Sequence, residues 1–236
     1  MVSFSLLAAI ATTATTGGVL ATPFSSSSGV ISGNGLLGRT STPNSNGEHG
    51  GFFYSFWTDG LGTVNYENGD DGTYRMSWVN CGNFLGGKGW NPGTRDRNIT
   101  YSGTFRPEGN GYLSVYGFSR DPLVEYYVVE SHGTYNPSQQ FARNASNTLQ
   151  VDGGTYTFGK NTLVRMALGP DAILHQVWSV RDPSERRVAG TVSMKAHFDA
   201  WEKKLGVKFG TLQYQIVATE GYRSSGMSEI QVEQNA

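Results

Sequence analysis

From residue 51 onward, apolar and polar positions alternate in short runs, and turn residues separate one run from the next. Gly51 to Thr58 (GFFYSFWT) leads into Asp59-Gly60, and Gly62 to Glu67 leads into Asn68-Gly69-Asp70-Asp71-Gly72. Asn-Gly and Asp-Gly accept the positive φ that tight hairpins need. Runs of the same kind recur at Thr73 to Asn80, Asn83 to Lys88, Asn98 to Phe105, Tyr112 to Phe118 and Val124 to Glu130. Others are Thr155 to Phe158, Ile173 to Val180, Gly190 to Met194, Leu212 to Glu220 and Glu229 to Val232. About a dozen closely spaced strands predict one all-β domain built as a two-sheet sandwich. One segment departs from this pattern. Phe198, Trp201 and Leu205 recur at helical spacing within His197 to Leu205, and Gly206 supplies a stop. That predicts a single short helix of about two turns, packed on the outside of a sheet.

Side chains alternate faces along a strand. Within Asp121 to Glu130, Glu125, Tyr127 and Val129 therefore share one face, and Tyr126, Val128 and Glu130 share the other. Nearer the C-terminus, Tyr214, Ile216, Ala218 and Glu220 also share a face. Two strand-borne glutamates among many aromatic residues suggest acid/base chemistry on a sugar polymer.

Composition narrows the partner. The chain of 236 residues has 32 glycines, 12 tyrosines and 12 phenylalanines, but only 16% charged residues, which suits a β-protein with many turns. Its 18 basic and 19 acidic residues leave a net charge of −1, so no one-signed field recruits nucleic acid or a membrane surface. A neutral partner is expected. Cys81 is the sole cysteine, so no intrachain disulfide can form. His132, His175 and His197 lack metal-ligand spacing and read as surface or hydrogen-bonded residues; neither a metal nor a cofactor is expected.

Phe4 to Ala11 is a short apolar run, and Val19 and Ala21 suit a signal-peptidase site before Thr22. Residues 1–21 are thus expected to be a signal peptide of a secreted protein. Residues 22–50, rich in Ser, Gly, Asn and Thr, read as a flexible pro-segment or linker, and residues 51–236 as the single folded domain. Asn98-Ile99-Thr100 and Asn144-Ala145-Ser146 are candidate glycosylation sites, in keeping with export.

Seven strings taken together resemble the family 11 glycoside hydrolases, small secreted endo-1,4-beta-xylanases. They are Tyr54 to Gly60, Gly82 to Trp90, Gly111 to Gly117, Pro122 to Glu130, Gly133 to Pro137, Gln176 to Arg181 and Ala218 to Gly226, in family order. The resemblance implies a β-jelly roll of two curled sheets with one short helix, shaped like a right hand around a cleft. It implies a monomer that acts on xylan or arabinoxylan. Glu125 aligns with the nucleophile, Glu220 with the general acid/base, and Asn83 with the residue that modulates Glu220. Trp57, Tyr116, Tyr127, Gln176 and Tyr214 match substrate-binding positions of the cleft, whereas Tyr112 and Trp178 read as core. Retention of anomeric configuration, the family's outcome, requires carboxyl groups about 5–5.5 Å apart. Asn at position 83 accompanies members that work from mildly acidic to neutral pH.

Departures from the family pattern leave other readings open. The hairpin between residues 159 and 175, the thumb that closes over xylan, lacks the proline-led tip of relatives and carries Gly169-Pro170-Asp171 instead. Arg165 lies near the place of the family's thumb arginine, in a shifted position. Phe118 and Val177 replace the usual Trp and Tyr, and Phe52 and Phe53 stand where relatives often have tyrosine. Cys81 takes the place of a Ser or Thr and reads as a small, partly buried thiol. A xylan-binding jelly roll with weakened or lost catalysis is therefore a second reading, and an endoglucanase of related fold a third.

Overall fold

Two long strands organise the molecule. In the computed structural model, which describes residues 41–141, 147–164 and 173–234, β6 (Asn98–Arg120) and β12 (Thr211–Val232) pair antiparallel along most of their length. The other strands are β1 (Ser45–His49), β2 (Phe52–Thr58), β3 (Thr63–Asn68), β4 (Thr73–Val79), β5 (Asn83–Trp90) and β7 (Val124–His132). They continue with β8 (Thr148–Val151), β9 (Gly154–Val164), β10 (Ile173–Arg181) and β11 (Gly190–Ser193), and the helix α1 spans Met194–Leu205.

The long strands serve both layers of a jelly roll. Residues 215–222 of β12 pair with β5, and residues 226–231 pair with β4. On β6, residues 98–101 pair with β11, and residues 112–119 pair with β7. The change of layer falls at a register shift between Tyr222 and Ser225, where Arg223 takes φ 46° opposite Gly109 at φ 108°. The larger layer runs β1-β2-β5-β12-β6-β7-β10-β9-β8. Separate strands were expected at Asn98 to Phe105 and Tyr112 to Phe118, and again at Leu212 to Glu220 and Glu229 to Val232. In each pair the glycine-containing stretch between them is a bend within one strand, not a turn.

The main core lies between the layers and includes Phe52, Phe56, Tyr74, Trp78, Tyr101, Tyr126 and Val128. A second apolar cluster covers the opposite face of the larger layer, with Phe53, Leu85, Tyr112, Tyr116, Tyr127, Trp178, Ile216 and Ala218. Strands β5 and β7 are thus buried on both faces, which is why their sequences lack simple alternation. Gly87 and Gly89 let β5 lie close to β12, because a Cβ at either would strike the β12 backbone at Val217 or Gln215.

The ordered chain starts upstream of Gly51. Strand β1 pairs residue by residue with β2, and Thr42 bonds Val64 and Tyr66 on β3, so residues 41–50 belong to the fold and not to a linker. This edge strand, SNGEH, carries no large apolar side chain; backbone pairing holds it, and Gly47 lies against the Tyr54 ring. Helix α1 begins at Met194, ahead of the expected His197, because Met194 and His197 extend the buried stripe of Phe198 and Trp201. It ends at Gly206 with φ 64°. His197 is fully buried rather than on the surface, with Nε2 3.7 Å from Asp152. Cys81 is buried, and burial pushes its thiol pKa up.

The opposite face of β7 carries a polar knot. Glu130, 1% exposed, accepts hydrogen bonds from Tyr101 at 2.9 Å and from Tyr156, and pairs with Arg187. These contacts satisfy a carboxylate that would otherwise be costly to bury.

Candidate active site

Cross-strand partners point to the same face of a sheet. One row of partners on the second-cluster face runs Trp57, Leu85, Glu220, Tyr112 and His132, across β2, β5, β12, β6 and β7. A parallel row runs Phe118, Glu125, Gln176 and Asn161, across β6, β7, β10 and β9. Between these rows lie Ile216, Tyr116, Tyr127 and Trp178. The two glutamates therefore occupy the same face on either side of β6, at positions six residues apart along that strand (112 and 118). In a flat sheet, this offset alone would separate them by about 20 Å. The charge of Glu125 nonetheless acts on Glu220, as a sheet curled along that diagonal allows.

Each oxygen of Glu125 has its own donor. Tyr116 Oη donates to Oε1 at 3.0 Å, and Gln176 Nε2 donates to Oε2 at 2.8 Å. Donors on both oxygens stabilise a negative charge. Burial is the first cause, with the charge of Glu125 the second, that pushes the Tyr116 and Tyr127 phenols well above their usual range and keeps them neutral donors. The Tyr127 ring stacks on Trp178 with centroids 3.8 Å apart and planes 4° from parallel. Tyr214 packs edge-on against Phe118 at 5.1 Å and tilts toward Phe53 at 5.2 Å.

Glu220 is the opposite case. It is 2% exposed, and its Oε2 has no hydrogen-bond partner among the described residues. Burial, followed by the negative charge of Glu125, pushes its pKa up from 4.5 to about 8. One carboxyl group thus holds a proton at neutral pH beside another equipped to carry charge. Asn83 pairs with Tyr222, which places it on Glu220's face and diagonal to it. Its backbone N–H donates to Asp59 Oδ2 at 2.9 Å, and its own Oδ1 is buried and unpartnered among the described residues. Trp57 lies half-buried at the end of the Glu220 row.

The structure thus brings Glu125, Glu220, Asn83, Trp57, Tyr116, Tyr127, Gln176 and Tyr214 to one face. Tyr112, read from sequence as core, is buried but stands directly opposite Glu220, whose charge adds to burial in raising its phenol. The alternation of Tyr112, Ser114, Tyr116 and Phe118 along β6 carries that signal. Asp59, which holds the start of β5, carries no functional reading in the sequence beyond its turn and its place in the Tyr54 to Gly60 string. Asn98 is exposed at the start of β6; Asn144, Arg165, the thumb tip and residues 1–40 lie outside the described residues. No cluster of metal-ligating side chains occurs among the described residues.

Comparison with known proteins agrees with this geometry. The chain is 51% identical over 199 residues to "Endo-1,4-beta-xylanase 4" of Pyricularia oryzae, covering 84% of each protein. It is 49% identical to "Endo-1,4-beta-xylanase 2" of Humicola insolens over 199 residues, covering 84% of this chain and 85% of that one. It is 47% identical to "Endo-1,4-beta-xylanase I" of Cochliobolus carbonum over 233 residues, covering 98% of this chain and 99% of that one. Residues 49–231, which hold Glu125, Glu220 and every strand from β2 to β11, match the family model, and the chain belongs to the glycosyl hydrolases family 11.

Proposed function

We propose that the protein is a secreted, retaining endo-1,4-beta-xylanase that cleaves internal bonds of xylan or arabinoxylan by double displacement. The observation that carries this reading is the contrast between the two carboxyl groups of one curled face: Glu125 bonded by two donors, Glu220 buried and proton-holding.

In the first step Glu125 attacks the anomeric carbon while Glu220 gives its proton to the departing glycosidic oxygen. The bond to the leaving sugar breaks and a glycosyl ester forms on Glu125. That ester has no negative charge, so one cause of Glu220's raised pKa vanishes, and the deprotonated group becomes a competent base. In the second step Glu220 takes a proton from water as the water oxygen attacks the same carbon. Glu125 leaves as a carboxylate, Glu220 is again protonated, and two inversions give net retention. Tyr116 and Gln176 stabilise the carboxylate before attack and after release. Trp57 offers an indole face to a pyranose ring.

The xylanase names of relatives that are about half identical over most of the chain support the substrate. The leader-like residues 1–21 support secretion, and a single chain supplies both carboxyl groups, in keeping with a monomer. Proton NMR of fresh digestion products tests the mechanism: β-anomers must appear before mutarotation. Initial α-product would overturn retention. Xylan binding without reducing-sugar release would overturn catalysis in favour of a binding protein, and faster release from carboxymethylcellulose would overturn the substrate.

A further inference from the structure

The wall beyond Gln176 carries an arrangement that the catalytic pair does not explain. After β7 the chain makes a 3-10 turn, Pro137–Gln140, capped by Asn136 Oδ1, which accepts from Ser138 N at 2.9 Å. The turn presents two successive residues to β9. Phe141 covers Gly159, where any Cβ would collide with its ring. Gln140 Oε1 accepts a hydrogen bond from Asn161 Nδ2 at 2.8 Å.

The β9 residues gripped in this way each face a β10 residue behind Glu125. Gly159 is the partner of Trp178, which stacks on Tyr127. Asn161 is the partner of Gln176, which donates to Glu125. Antiparallel partners have Cβ atoms about 4.5–5.5 Å apart, so the Asn161 and Gln176 side chains stand side by side on one face. Fixing Asn161 restricts the rotamers open to Gln176, and with them the supply of a donor to Oε2 of Glu125.

We propose that Gln140 is a positioning residue for the reaction, acting through Asn161 to hold Gln176 in its hydrogen bond with Glu125. It touches neither the sugar nor the reacting carboxylate. The proposal rests on Glu125 being the nucleophile.

The test introduces Gln140→Leu and Asn161→Ala, each in the wild type and in Gln176→Ala. Hydrolysis of arabinoxylan is measured alongside the carboxyl 13C titration of Glu125, and Glu125→Gln assigns that signal. In the wild-type background, each change should lower kcat roughly 3–10-fold with a smaller change in KM, less than the roughly 100-fold that a 1 Å misplacement can cost. Each should also move the Glu125 titration upward, because its donor is less well held. In the Gln176→Ala background, both effects should disappear. Equal losses in the two backgrounds would assign Gln140 a merely structural role and overturn the proposal, as would an unmoved Glu125 titration. The titration needs no turnover, so with an inactive wild type the xylanase reading fails by itself, while the titration still decides whether Gln140 holds the Gln176 donor on Glu125.

Discussion

Glu125 and Glu220 stand on opposite sides of β6, six positions out of step along it, yet the charge of one strengthens proton binding by the other. The pairing is electrostatic as well as spatial, and it sets the order in which the two groups ionise. Each consequence can be measured.

Glu125→Gln removes the negative charge beside Glu220. The Glu220 titration should then move below about 8, and xylan hydrolysis should fall by on the order of 1000-fold or more. Carboxyl 13C NMR and reducing-sugar assays report these separately. In the wild type, activity should peak between mildly acidic and neutral pH and decline as Glu220 deprotonates on the alkaline side. An unmoved Glu220 titration in the variant would mean that burial alone raises it.

Glu220 also links stability to pH. Its folded pKa of about 8 lies above its ordinary 4.5, so between those values the unfolded chain binds fewer protons than the folded one. Its contribution to stability is complete below 4.5 and is lost as pH rises through about 8, by an amount on the order of a few kcal/mol. Urea unfolding at pH 5 and pH 9 should show this decline in the wild type and a flatter profile in Glu220→Gln. Equal slopes would contradict it.

Tyr116→Phe and Gln176→Ala each remove one donor from Glu125. A hydrogen bond to a charged group contributes about 1.5–3 kcal/mol, so kcat should fall roughly 10–100-fold in either variant. Steady-state kinetics with melting curves separate this from unfolding. A loss confined to KM would place both residues in substrate binding only.

Glu130 lies on the same strand as Glu125 but faces the other layer, buried among Tyr101, Tyr156 and Arg187. Arg187→Ala strands that carboxylate and should cost about 3–5 kcal/mol of stability. Activity per folded molecule should remain near that of the wild type at low temperature. Denaturant midpoints combined with active-site titration check this outcome.

Part of the fold can be read from the chain, because β3 and β4 alternate buried and more exposed positions and β2 and β3 lead into Asp59-Gly60 and Asn68-Gly69. Strand β1 cannot, since SNGEH is held by backbone bonds and offers no hydrophobic pattern. The continuity of β6 and β12 is hidden for another reason: glycine and polar residues mark a bend as readily as a turn. The candidate site divides in the same way. Strand alternation shows that Glu125 and Tyr127 share a face, and the family resemblance pairs Glu125 with Glu220. Their approach depends on sheet curvature, which no local stretch encodes. The tie from Gln140 to Asn161 crosses 21 positions between a turn and a strand, and neither residue belongs to a recognisable motif.

Continuous β6 and β12 make the outer wall and the catalytic floor parts of the same two ribbons. Neither wall can shear past the other without breaking the ladder beneath Glu220. A relative movement of the two layers would have to bend these ribbons instead of sliding one past the other. Stiffening the outer wall should therefore steady the acid's seat.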